Sequence, residues 1–189
     1  MGYKYLINAV VTYRYMVEQI LKEGDTAVDC TVGNGNDTVL LAEKVGPKGK
    51  VYGFDIQKKA LDITYNKLKE RKLEDRVILI NDDHKNLGKY INNMVKLGIF
   101  NLGYLPKGDR SIVTRKETTL QGILQLLNLL QNNGMAFIAS YTGHREGYIE
   151  NKGIEDFLKK LNQKKFGVVK FDFINQINNP PILYEIEKL

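Results

Sequence analysis

The sequence predicts an α/β fold, a mostly parallel sheet with helices on both faces. Short apolar runs suited to buried strands alternate with segments whose apolar residues recur at helical spacing, the pattern of strands joined by crossover helices. The first such run, 26–30, leads into a glycine-rich turn, Thr31-Val32-Gly33-Asn34-Gly35-Asn36, and then a helix start. The last two strand-like runs, 167–174 and 182–188, have no helix between them, which makes the final strand antiparallel to its neighbour.

The elements follow in order. Residues 8–23 form a helix with Val10, Val11, Met16, Val17, Ile20 and Leu21 as its apolar positions, and Gly24 stops it. Strand one, 26–30, is followed by helix 37–45, with Asp37 or Thr38 as its cap. Gly46-Pro47-Lys48-Gly49 is a turn. Strand two is 50–55, and helix 57–71 carries Ala60, Leu61, Tyr65 and Leu68 on one side. Strand three, 77–80, precedes a helix over 86–94, and strand four is 97–101. A polar loop, 107–114, leads to a leucine-rich helix over 116–131, ended by Asn132-Asn133-Gly134. Strand five is 135–141, and a helix over 149–164 precedes the final pair of strands.

Length and composition bound the function. The 189 residues suffice for a single domain spanning the whole chain, and 43% hydrophobic content indicates a globular protein. No apolar run approaches the roughly 20 residues of a membrane span, and the N-terminus lacks an apolar leader core. One cysteine forms no internal disulfide, which fits a reducing cytoplasm. Cys30 reads as a buried strand residue. Lys+Arg 28 against Asp+Glu 22 gives a net charge of +6, which suits a polyanionic partner such as RNA.

Ligands in such sheets sit at the carboxyl ends of the strands. Gly33 and Gly35 let the backbone turn sharply and a ligand approach it. The amides of the turn and of the helix N-terminus favour electron-rich groups. Asp55 ends strand two, twenty residues after Gly35, where an acid takes both hydroxyls of a ribose. A dinucleotide fingerprint would need a third glycine where Thr38 stands, and Asp29 ahead of the glycines would repel a pyrophosphate. The pair of acids suits S-adenosylmethionine, with Asp29 near the methionine end. The expected cofactor contacts are Asp29, Thr31, Gly33, Asn34, Gly35, Asn36, Asp37 and Thr38 on the turn. Asp55, Ile56 and Gln57 follow strand two, Asp82, Asp83 and His84 follow strand three, and Asn101 follows strand four. Asp82 or Asp83 is placed to meet the adenine amino group. No metal is expected.

After strand four, Asn101-Leu102-Gly103-Tyr104 resembles the Asn-Pro-Pro-Tyr loop of methyltransferases that act on exocyclic amines. A nitrogen nucleophile needs its lone pair aimed along the methyl–sulfur bond, and an Asn oxygen can accept the amine's hydrogens and hold it there. Asn101, Tyr104, Asp109 and His144 are the catalytic candidates, the last two as general bases. Leu102, Gly103, Lys107, Arg110, Ser111 and Thr114 should line the substrate side. Lys107, Arg110, Arg115 and Lys116 form a basic rim for phosphates. The tail 175–181 either shapes the substrate pocket through Asn178 and Asn179 or only turns the chain. Lys159, Lys160, Lys164 and Lys165 read as a solvated helix face.

The layout as a whole resembles the class I methyltransferases, which implies a Rossmann-like seven-stranded sheet of order 3-2-1-4-5-7-6 with strand seven antiparallel. Five motifs narrow the resemblance: Asp-x-Thr-x-Gly-Asn-Gly-x-Asp-Thr at 29–38, Phe-Asn-Leu-Gly-Tyr-Leu-Pro at 100–106, Gly-Asp-x-Ser-Ile-x-Thr at 108–114, Tyr-x-Gly-His at 141–144 and Asn-Gln-x-Asn-Asn-Pro-Pro at 175–181. Together they resemble the MnmM (YtqB) family, long labelled rRNA methylases. The resemblance implies methylation of 5-aminomethyl-2-thiouridine at the tRNA wobble position, with S-adenosylmethionine as donor and S-adenosylhomocysteine as product. It also implies the anticodon stem-loop as partner and a homodimer. One departure is Asn36, where many members carry His.

Overall fold

In the computed structural model, which describes residues 7–103 and 114–189, seven strands form one sheet. They are β1 Thr26–Asp29, β2 Lys50–Phe54, β3 Val77–Ile80, β4 Val95–Asn101, β5 Leu130–Ser140, β6 Phe166–Phe171 and β7 Ile182–Lys188. The order is β3-β2-β1-β4-β5-β7-β6, parallel except for β7, which runs antiparallel to β5 and β6. This is the Rossmann-like order expected of a class I methyltransferase. The helices are α1 Ala9–Ile20, α2 Asn36–Val45, α3 Lys58–Glu70, α4 Lys116–Leu129 and α5 Arg145–Leu158.

Strand alternation sorts the core into two layers. Ala27 of β1 and Met135, Phe137 and Ala139 of β5 face one layer, with Tyr13 and Val17 of α1 and Leu41 of α2. Val28 of β1 and Ala136 and Ile138 of β5 face the other, with Ile123 and Leu126 of α4 and Ile154 of α5. Tyr13 stacks on Phe137 with ring centroids 6.0 Å apart. Burying each such aromatic stabilises the fold by about 1.5–3 kcal/mol. α1 is thus fixed to the sheet and reaches the same edge as the glycine turn.

Four elements shift most from the sequence expectation. The 86–94 helix is only a 3-10 turn, His84–Lys89, because the Asp83 carboxylate accepts from the Lys85 amide and opens it early. β4 then starts at Val95, two residues before the expected position. β5 starts at Leu130 because Asn133 takes a left-handed φ of 56° and lets the chain loop out within the strand. Its register against β4 jumps from Val95–Leu130 to Leu97–Met135. α5 starts at Arg145 because the ring of His144 caps it, accepting from the Gly147 amide at 3.0 Å.

Candidate active site

A crevice of about 670 Å³ opens at the carboxyl ends of β1 to β4. Its floor is the turn after β1. Gly33 (φ 52°) and Gly35 (φ 75°) both occupy the left-handed region that glycine enters freely. Gly35 is the N-cap of α2, so neither expected cap residue caps it. Asp37 instead accepts from the Tyr13 hydroxyl and from Arg14 Nε, each at 2.7 Å. The Thr38 hydroxyl donates to Asp29 Oδ2 at 2.6 Å.

The two acids read from the sequence have different settings. Asp55 lines the crevice, and its oxygens accept from the amides of Gly33 and Gln57, each at 2.8 Å. Burial raises its pKa, opposed by those two amides. Asp29 is fully buried behind the turn and is not part of the crevice wall. It accepts from Thr38 and from the Thr31 amide. Burial, with the nearby charge of Asp37, pushes its pKa up to about 7. The acid that does line the floor is Asp37, beside Thr31, Asn34 and Asn36, while Gly35 and Thr38 stand behind the wall. Asp29, expected near the methionine end of the ligand, therefore does not border the crevice, and Asp37 does.

The rim after β2 and β3 is built from Ile56, Gln57, Asp82, Asp83 and His84. Asp82 has both oxygens occupied: Oδ1 accepts from the Asp83 amide and Asn86, and Oδ2 from the Tyr90 hydroxyl. Desolvation is outweighed by the bonds from Asn86, Tyr90 and the Asp83 amide, which hold its pKa below the ordinary carboxylate range. His84 is buried, with Nδ1 3.2 Å from the Cys30 carbonyl and its ring edge-on to Phe100 at 5.3 Å. A carbonyl partner requires the proton on Nδ1. Burial holds its pKa below the ordinary histidine value.

The opposite wall is the exit of β4. The Asn101 amide donates to Thr31 Oγ1 at 2.7 Å, and the Leu102 amide to the Ala139 carbonyl at 2.9 Å. The Gly103 amide donates to Thr114 Oγ1, and the Thr114 amide returns to the Gly103 carbonyl, both at 3.1 Å. Asn101, Leu102, Gly103, Thr114 and Arg115 all line the crevice. Tyr104, Lys107, Asp109, Arg110 and Ser111 lie outside the described residues.

His144 is not part of the crevice wall, and its Nδ1 is turned to its own helix. Asn178 and Asn179 are absent from the wall too; Asn179 borders a second depression of about 480 Å³ with Tyr148, Asn151 and Lys170. The sequence reading missed Arg14 and Tyr141, both of which line the crevice. Arg14 joins the site through an acid 23 positions away in the chain, which local periodicity does not show. Tyr141 opens the Tyr-x-Gly-His motif, which was a usable signal. Among the described residues, no group of three or more His, Cys, Asp or Glu side chains could hold a metal. No described helix is long and apolar enough to cross a membrane.

Comparison with known proteins agrees with this architecture. The family model described as "Putative rRNA methylase" matches residues 51–187. A crystal structure from Clostridium thermocellum titled as a putative rRNA-methylase is 48% identical, with TM-score 0.96 and all of both chains covered. A methyltransferase structure from Streptococcus mutans, in complex with SAH, is 37% identical over 96% of this chain and 98% of that one, with TM-score 0.89. A chloroplastic tRNA (mnm(5)s(2)U34)-methyltransferase from Arabidopsis thaliana is 34% identical over 90% of this chain. The chain spans 66% of that plant protein's length, just under two thirds. With the sheet order, the glycine turn and these matches in place, the chain belongs to the rRNA methylase family of class I methyltransferases that its motifs resemble.

Proposed function

We propose that the protein transfers a methyl group from S-adenosylmethionine to the primary amine of 5-aminomethyl-2-thiouridine at the tRNA wobble position. The products are 5-methylaminomethyl-2-thiouridine and S-adenosylhomocysteine. The observation that carries this reading is the bond from the Asn101 amide to Thr31. It joins the segment suited to holding an amine to the turn suited to the donor, across one crevice.

The residues present fit the donor. Asp55 is held rigid by two amides at the end of β2, where a ribose diol would meet it. Ile56, 53% exposed on the rim, offers an apolar surface for an adenine ring. The Arg14–Asp37 pair supplies one positive and one negative group for an amino-acid end. When bound, S-adenosylmethionine supplies an electrophilic methyl carbon on a positively charged sulfur.

The chain's own contribution is positioning. A free alkylamine has a pKa of roughly 10, by analogy with lysine, so it must lose a proton before its lone pair can attack. Desolvation and nearby positive charge lower that value. In this reading the side-chain oxygen of Asn101, a residue of the crevice wall, accepts the amine's hydrogens and leaves the lone pair directed at the methyl carbon. The nitrogen–carbon bond forms as the carbon–sulfur bond breaks, giving a secondary ammonium product that stays protonated in water, so the one proton released is the one lost before attack. Arg115 on the wall and Lys116 beside it suit backbone phosphates of an anticodon stem-loop. Asp109 and His144 remain the base candidates, although the Nδ1 lone pair of His144 is already engaged. This reading extends to a cytoplasmic homodimer; exposed Val168, Val169 and Phe171 on the edge strand β6 support a contact between copies.

The test is nucleoside mass spectrometry after incubation with labelled donor and three RNAs: tRNA bearing 5-aminomethyl-2-thiouridine, the same tRNA unmodified, and ribosomal RNA. Methyl incorporation confined to the aminomethylated tRNA is expected. Incorporation into ribosomal RNA alone would overturn the substrate and favour the activity in the family's description.

A further inference from the structure

Glu150 is a carboxylate buried in the second turn of α5, only 2% exposed. No cation neutralises it at contact distance among the described residues. Its partners are two hydroxyls: Thr114 donates to Oε2 at 2.8 Å and Thr119, on α4, donates to Oε1 at 2.6 Å. The Thr114 oxygen is at the same time the acceptor for the Gly103 amide. The result is a directional relay: Gly103 N–H to Thr114 Oγ1, then Thr114 O–H to the carboxylate. Each hydrogen has one place to go only while Glu150 accepts at both oxygens.

Gly103 sits at φ 124°, a backbone region that side-chain-bearing residues rarely adopt, two residues beyond Asn101. Glycine enters this region without strain, so its neighbours must select it from the other conformations open to glycine. Three contacts do so: the Leu102 amide to Ala139, the Thr114 amide to the Gly103 carbonyl, and the Glu150-ordered Thr114 hydroxyl. Asn101 is fixed from the other side by Thr31. The carboxylate therefore sets the wall of the crevice without lining it.

We infer that Glu150 is a positioning residue for methyl transfer, acting through the Thr114 hydroxyl on the Gly103 backbone to hold Asn101 in place for the amine. This rests on the amine-methylation reading of the crevice. Cofactor contacts on the glycine turn are not part of the relay, so the inference predicts a loss of turnover without a loss of cofactor affinity.

The test compares Glu150→Gln, Thr114→Val and Thr114→Ser in the full chain. It reads kcat and KM on aminomethylated tRNA, SAH affinity by calorimetry, and hydrogen exchange at the Gly103 amide. Thr114→Val should lower kcat at least tenfold, leave SAH affinity within twofold and speed Gly103 exchange by a similar factor. Thr114→Ser should restore all three. Glu150→Gln, which presents a donor where an acceptor is required, should fall between them. The double variant Glu150→Gln/Thr114→Val should be no worse than Thr114→Val alone. Additive losses, a kcat that follows only the folded fraction, or unchanged Gly103 exchange would overturn the inference. If the wild type methylates no tRNA, the substrate reading fails, and the exchange data still decide whether the relay exists.

Discussion

The backbone N–H of Asn101 points at the hydroxyl of Thr31, 2.7 Å away, across 70 residues of sequence. One residue ends β4 and the other opens the turn after β1, and these strands are neighbours in the sheet. The two halves of the crevice therefore keep a fixed separation. Thr31→Val should leave the Asn101 amide without its acceptor, costing about 1–3 kcal/mol. Thermal unfolding and turnover should both fall, and Thr31→Ser should recover most of each.

Asp55 gives a second prediction. Its two bonded amides belong to the turn and to the start of α3, so it holds the floor and the rim together. Asp55→Ala should weaken SAH binding at least tenfold by calorimetry. A carboxylate acceptor for charged or amide donors contributes about 1.5–3 kcal/mol, enough for that factor. Unchanged affinity would remove Asp55 from the cofactor site.

A third prediction concerns pH. Asp29 ionises near 7 in the folded chain against an ordinary 3.8, because burial disfavours its charge and Asp37 adds repulsion. The folded state thus binds the extra proton between those values. Its stabilising contribution is full below about 3.8 and is lost as pH rises through about 7. Asp29→Asn removes that loss, so urea unfolding should show the variant gaining stability relative to wild type from pH 4 to pH 7. A difference that is flat with pH would show that Asp29 titrates normally.

A fourth prediction is steric. A Cβ at Gly35 would collide with the side chain of Thr64 on α3, and φ 75° is strained for any other residue. Gly35→Ala should destabilise the fold by about 1–3 kcal/mol and weaken SAH binding through displacement of the turn. Thr64→Ala in the same chain should ease the clash only in part, because it removes the hydroxyl and methyl but keeps a Cβ 2.9 Å from the new one.

The sheet was legible because its signals are local. Apolar runs, helical spacing and the missing helix between 171 and 182 are each visible within a few residues. The turn that floors the crevice was legible where backbone geometry demands a residue type, as at Gly33 and Gly35 with their positive φ. The site was less legible where a side chain's role depends on what packs behind it. Asp29 and Asp37 are both acids beside the same glycines and both are buried, and only the packing decides that Asp37 also borders the crevice, where Tyr13 and Arg14 of α1 hold it. Arg14 reads as one more polar position on a helix until its partner appears 23 residues on. His144 reads as a base candidate, because a histidine cap has no strong sequence signal, yet its lone pair opens α5.

Asn101→Ala is the most direct measurement. The account predicts that turnover on aminomethylated tRNA falls about a hundredfold or more while SAH affinity stays within a few fold, because orientation of the nucleophile contributes on that scale. Full turnover in the variant, or no SAH binding by the wild-type crevice, would contradict it.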